Sequence, residues 1–241
     1  MPAIPVGSRV SRQRFVALKA EATAIFANSM ALARDLGVPL ILTSGASFRT
    51  RGDEVADETW PVYRGGLAAI GADTDPLIDE ALRIGSPPLV LMMPGQIYGN
   101  GGMFRNFMYP MMKKGHSRVI GSGANYLPRI HVDDCAAACL EAVRRLPVGE
   151  RLIIADDTPS TQREFTEFMA ELMGLPRPGR IPALAVRLVM GDFLYKTVTM
   201  NSKVTNAKAR RVLDGWRPAY PSYREGLRAA IAEIEAGHKA R

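Results

Sequence analysis

Cysteine is scarce: 241 residues hold two, Cys135 and Cys139, one helical turn apart in "DDCAAACLEAV". Nothing near them completes a tetrahedral metal set, so the pair reads as two small core residues of an alanine-rich amphipathic helix, and no metal is expected. No apolar run reaches the roughly 20 residues that a membrane span needs. The N-terminus lacks the charged and apolar regions of a signal peptide, which makes the cytoplasm the expected compartment. No internal repeat and no low-complexity tract occurs. What is present is ordinary for a globular chain: 47% hydrophobic and 23% charged residues, which excludes disorder and suffices for a full core. The net charge of +7 is scattered, and its densest run, "NAKARR", is short. With no binding motif beside it, nucleic acid is not an expected partner, whereas a ligand carrying phosphates suits the excess of positive charge.

Periodicity gives an alternation of helices and strands. Residues Gln13 to Leu36 carry apolar side chains at helical spacing, and Gly37 is a helix stop. The run Val38 to Leu42 reads as a buried parallel strand. It ends in Thr43, Ser44, Gly45 and Ser47, where α/β sheets place their ligands. The stretch "FRTRGDEVADETWPVYRGG" is polar and reads as a surface loop. In "TDPLIDEALRIG" a helix is capped by Thr74 or Asp75, takes Pro76 in its first turn and closes at Gly85. A strand from Leu89 to Met93 follows and is broken by Pro94 and Gly95. The order implies right-handed parallel crossovers.

Further on, a glycine loop leads into a short helix with Tyr109 and Lys113 in Y-x-x-x-K spacing. Then come a short strand, a turn, a helix from about Val132, a strand at Arg151 to Ala155, and a helix capped by Ser160 or Thr161 with Glu164 near its third position. From Leu175 the chain is proline-rich and then helical.

Several spaced pieces, "LTSGAS" with "DETWP" downstream, "MPGQIYGNG", "IGSGANYLPRIHVDDCAAA" and "SKVTNAKARRVLDGWRPAYPSYREGL", resemble the NAD-dependent epimerase/dehydratases, the extended and atypical short-chain dehydrogenase/reductases. They stand in family order and span nearly the whole chain from about Arg12. The resemblance implies an α/β fold, a partial Rossmann-type parallel sheet flanked by helices with a smaller C-terminal substrate lobe. Residues 1–100 would be the later part of the NAD(P)-binding domain, and 101–241 the substrate lobe interleaved with the last sheet elements. It implies NAD or NADP as cofactor, a small-molecule substrate bearing a hydroxyl or carbonyl, a nucleotide sugar among the options, and a homodimer.

Such proteins open with a G-x-x-G-x-x-G turn that holds the pyrophosphate at a helix N-terminus. This sequence contains none. "GSGANY" is a turn rather than a helix start, because Tyr126 and Pro128 follow the glycines. The resemblance therefore leads us to expect a truncated product lacking about 80 residues of the cofactor-binding half, with pairing of an open sheet edge to a partner as the other explanation. Weak or no NAD(P) binding is expected of the chain alone, and a non-catalytic binding or scaffold protein is the alternative function.

In the family the Y-x-x-x-K helix lies between the serine-bearing strand and the P-x-x-Y-G strand. Tyr109 and Lys113 fall after Pro94, so they read as core and solvent-facing residues of a short helix. In the expected interval Tyr63 is the sole tyrosine, and Leu67 stands four residues on. Ser44 and Ser47 are the catalytic candidates, since the family places its substrate-binding hydroxyl there. Thr43, Ser44, Pro94, Gly95 and Ile97 resemble cofactor contacts. Asn106, Asn125 and Arg129 are candidates for substrate contact by position. "HVDD" reads as a helix opening with an aspartate cap rather than as a metal or acid/base cluster, and Trp216 as packing for the C-terminal lobe.

Overall fold

The computed structural model describes residues 12–239. In chain order the elements are α1 (Arg12–Leu36), β1 (Leu40–Thr43), α2 (Asp75–Ile84), β2 (Leu89–Pro94), β3 (Gln96–Tyr98), α3 (Tyr109–Lys113), β4 (Val119–Ile120), β5 (Tyr126–Leu127) and β6 (Arg129–His131). The chain continues through α4 (Val132–Arg145), β7 (Arg151–Ile154), β8 (Ser160–Thr161), α5 (Gln162–Leu172), β9 (Arg180–Ile181), α6 (Ala183–Val198), α7 (Ala207–Val212) and α8 (Tyr223–Lys239).

The three longest strands make one parallel sheet in the order β1-β2-β7, with Leu42 opposite Leu91 and Met92 opposite Leu152. One face buries Leu42, Leu89, Leu91, Met93 and Ile153 against Phe26 and Met30 of α1 and Ile78 and Ala81 of α2. The other buries Val90, Met92, Leu152 and Ile154 against Cys135, Ala138 and Ala142 of α4, with Trp216 behind them. Burial on both faces is why these strands are continuous apolar runs rather than alternating ones. The two cysteines are free and serve this packing. A third cluster, built on Tyr98, Phe104, Phe165, Phe168, Leu227 and Ile231, holds the C-terminal helices to β3.

Local chemistry fixes several element ends. Gly85 takes the left-handed conformation that closes α2 (φ 68°), which suits a residue without a Cβ. A capping box of Thr161 and Glu164 opens α5. The opening of α4 differs from expectation. His131 is the N-cap, its Nδ1 accepting from the Asp133 N–H at 3.3 Å. The Asp134 carboxylate instead accepts from the N–H groups of Ala219 (2.6 Å) and Tyr220 (3.0 Å), fastening the C-terminal segment to α4.

Helix α1 also departs from the sequence reading. By length and composition its residues Gln13–Leu36 are long and apolar enough to cross a membrane. Its Leu18, Ala22, Phe26, Met30 and Ala33 are buried, while Val16, Ile25, Leu32 and Leu36 are exposed.

The two sheet edges are finished differently. On the outer edge of β7 the Ile153 N–H donates to Glu58 Oε1 at 2.8 Å, and Ala56 bridges to Val204 nearby. On β1, residues Leu40 and Ser44 turn their N–H groups to β2. Alternation then turns those of Ile41 and Thr43 outward, where no strand pairs with them among the described residues.

Below β6 lies a polar core. Arg129 is 2% exposed; its Nη1 donates to the Leu127 carbonyl (3.1 Å), the Ser160 carbonyl (3.0 Å) and Ser160 Oγ (2.7 Å). Its guanidinium carbon stands 4.1 Å from the centre of the Phe165 ring. Burial lowers its pKa to about 10, against the pull of Asp156. The Asp156 carboxyl is pushed up to about 8 by burial, which outweighs the opposing charge of Arg129.

Two predictions follow the packing. Phe165→Ala removes the ring on which Arg129, Tyr98 and Tyr223 rest, and should cost about 3–5 kcal/mol in urea unfolding. For Asp156, a folded pKa raised from 3.8 to about 8 means that the folded state holds a proton which the unfolded chain releases. The stabilising contribution is full below the unfolded value and lost as pH rises through the folded one. Urea midpoints should thus fall from pH 5 to pH 8, and Asp156→Asn should flatten that slope; an unchanged slope would show that another group sets it.

Candidate functional site

Because β1 and β2 run parallel, both end on the same side of the sheet, the side where α/β proteins bind ligands. Past its last residue β1 does not turn away. The Ser44 N–H donates to the Met92 carbonyl and the Ala46 N–H to that of Pro94, both at 2.9 Å. The Gly95 N–H donates to Ile154 at 2.9 Å. Thr43, Ser44, Pro94 and Gly95 are thereby drawn together at one strand-end ledge. Thr43 is exposed, Ser44 half-buried and Pro94 buried. Ile97, three residues beyond Pro94, is 43% exposed although it lies in β3, an apolar surface left uncovered.

Gly95 has a local reason to be glycine. A Cβ there would fall 2.7 Å from the Pro128 backbone, so the close approach of residues 128 and 129 requires its absence. The pair Pro94–Gly95 shapes the ledge from beneath.

Ser47 sits farther along. Phe48 forms an antiparallel bridge with Val62, and the Ser47 carbonyl accepts from the Tyr63 N–H at 2.8 Å. The loop read as irregular is therefore pinned to the strand end through this short pairing. Tyr63 and Arg49, whose guanidinium carbon lies 5.6 Å from the Tyr63 ring centre, are neighbours of Ser47 that sequence reasoning left aside. The one available signal was that Tyr63 is the sole tyrosine between Ser47 and Leu89.

The three candidates for substrate contact are not gathered at the ledge. Arg129 is buried, its Nη1 engaged by the Leu127 and Ser160 carbonyls and Ser160 Oγ, while its buried Nε has no hydrogen-bond partner among the described residues. The Asn125 side-chain amide donates to the carbonyls of Val198 (3.2 Å) and Met200 (3.0 Å) and so ties two loops together. Asn106 is exposed within the π-helical turn Phe104–Met108.

Tyr109 and Lys113 make no dyad. Tyr109 is buried with its hydroxyl 3.5 Å from Glu235 Oε1, and burial raises its pKa, Glu235 adding to the effect. Lys113 is exposed, its Nζ 6.0 Å from the Tyr109 ring centre. In "HVDD", His131 and Asp134 are engaged in capping and stapling, and the Trp216 Nε1–H donates to the Asp134 carbonyl at 3.1 Å. Among the described residues no group of three or more His, Cys, Asp or Glu side chains gathers to hold a metal.

For a dinucleotide, the exposed Thr43 and the half-buried Ser44 offer hydroxyls at the strand end. No G-x-x-G-x-x-G turn occurs in the sequence to take its pyrophosphate.

No family model matches the chain. A 3-diazoavenalumate denitrifying reductase of a Streptomyces species is 28% identical over 202 residues, 81% of this chain and 66% of that protein. An epimerase family protein of Mycobacterium bovis is 28% identical over 162 residues, covering 66% of this chain and 53% of the relative. The chain thus spans between half and two thirds of the length of these relatives. In fold it matches the dTDP-glucose 4,6-dehydratase of Bacillus anthracis, solved in complex with NAD, with a TM-score of 0.75 over 93% of this chain and 70% of that one, at 16% identity. In sequence the chain is thus similar to a reductase and to epimerase family proteins, and in fold to a parallel-sheet dehydratase solved with NAD.

Proposed function

We propose that the chain forms part of a cytoplasmic, NAD(P)-dependent oxidoreductase or epimerase site for a small molecule bearing a hydroxyl or carbonyl group. The observation that carries this reading is the ledge itself. Thr43 and Ser44 stand at the carboxyl end of a parallel strand, held beside Pro94 and Gly95 by backbone hydrogen bonds, and β3, which follows Gly95, leaves the side chain of Ile97 exposed. The reductase and the epimerase family protein among its sequence relatives support it. When bound, the nicotinamide supplies the acceptor or donor of a hydride. Ser44 and Ser47 hold the substrate oxygen by hydrogen bonds, and Ile97 keeps water from the apolar side.

A binding-only reading has its own support in the engagement of Tyr109 by Glu235 rather than by a lysine and in the outer edge of β1, which no strand pairs among the described residues. Thermal unfolding with millimolar NAD or NADP separates the two when joined to a turnover assay. For a functional site, one nucleotide raises the midpoint by several degrees, about what 2–3 kcal/mol of linkage gives a chain of this size. Ser44→Ala and Ser47→Ala then each lower turnover by about tenfold to a hundredfold, the worth of one hydrogen bond to a developing charge. A shift without turnover supports the binding-only reading, and no shift with either nucleotide refutes the cofactor.

A further inference from the structure

The pairing that pins Ser47 to Tyr63 also builds a polar face beyond the strand end. In an antiparallel bridge, directly opposed residues point to the same side and their sequence neighbours to the other. Phe48 is buried and Val62 packs against the same core, so Ser47 and Tyr63 lie opposite each other on the face turned away from it. Arg49, two residues past Ser47, shares that face and is exposed, with its guanidinium held over the Tyr63 ring at 5.6 Å. Tyr63 is itself fixed from below, because its phenol closes over Gly65 so tightly that any side chain there would collide with it.

Several of the other cations of this region are paired. Arg64 is paired with Asp75, Lys203 with Asp53 at 2.9 Å, and Lys196 and Arg187 share Asp192 at 2.6 and 3.1 Å. Among the described residues no carboxylate is within ion-pair distance of Arg49, and its recorded partner is the Tyr63 ring. A guanidinium stacked on an aromatic ring keeps its in-plane N–H fork available. That fork matches a carboxylate with two parallel hydrogen bonds.

We propose that Arg49, stacked on Tyr63 and flanked by Ser47, recognises a carboxylate group of the small-molecule ligand. This rests on the reading that the substrate binds at the strand-end ledge. Ser47 shares the face of Arg49, so a ligand whose oxygen meets Ser47 extends its acidic end to Arg49. Stacking lowers the entropy lost when the fork closes on its ligand, which a free surface arginine would forfeit.

The test uses three probes of similar shape, cinnamate, its neutral amide cinnamamide, and phenyl phosphate, titrated into the full chain by calorimetry or ligand-observed NMR. Cinnamate is expected to bind at least about tenfold more tightly than cinnamamide, as a charge-assisted contact implies. Arg49→Gln should abolish that preference, Arg49→Lys should leave part of it, and Tyr63→Phe, which keeps the ring, should leave most. Equal binding of acid and amide, no binding of either at millimolar concentration, or a preference that survives Arg49→Gln would overturn the proposal. A preference for phenyl phosphate over cinnamate would overturn the carboxylate assignment. The NAD and NADP midpoint shifts, measured on the Arg49→Gln chain, keep the two readings apart. A preference lost with the nucleotide shift intact bears on Arg49 alone. A preference retained in the parent chain without any nucleotide shift sinks the cofactor and leaves the acid site standing.

Discussion

The burial of β2 is the constraint from which the rest of the molecule is built. Its residues Leu89 to Pro94 are all buried, with β1 hydrogen-bonded on one edge and β7 on the other. A strand with no exposed face can be satisfied only by apolar side chains above and below and by backbone partners on both sides. That demand recruits α1 and α2 to one face and α4 to the other, and it aligns the ends of three strands at one level. The ledge exists because the segment after β1 continues alongside the end of β2, the Ala46 N–H reaching the Pro94 carbonyl while the Gly95 N–H still bonds Ile154.

The second organising feature is the fastening of the C-terminal segment. Asp134 accepts from two backbone N–H groups eighty-odd residues away, and the side chain of Asn206 donates to the Ala155 carbonyl (2.7 Å) and to Asp157 (2.8 Å). Both contacts reach elements that end near the carboxyl side of the sheet. Together with the aromatic cluster around Phe165 they hold the C-terminal segment against the rest of the fold.

How much of this was legible in the sequence varies with the range of the interaction. The strands at Leu40 and Leu89 and the capping box at Thr161 depend on neighbours a few residues apart, and their patterns were readable. The first strand begins two residues later than its apolar run, since Leu40 is the first residue whose N–H reaches the neighbouring strand, at Pro88. Arg129 was misleading because charge suggests exposure, while its partners at Ser160 lie thirty-one residues on and leave no local trace. Likewise the pairing of Ser47 with Tyr63 crosses a polar loop with no alternation to betray it. Helix α1 is apolar beyond what its one buried stripe requires, a property visible in composition but hidden by the search for an uninterrupted run.

The unequal finish of the two sheet edges gives the molecule a direction of growth. With Glu58 closing the far side, a strand can be added only next to Ile41 and Thr43. If added in parallel, it would bring its own carboxyl end beside Thr43 and Ser44. Any polypeptide that extended the sheet there would therefore also flank the strand-end ledge.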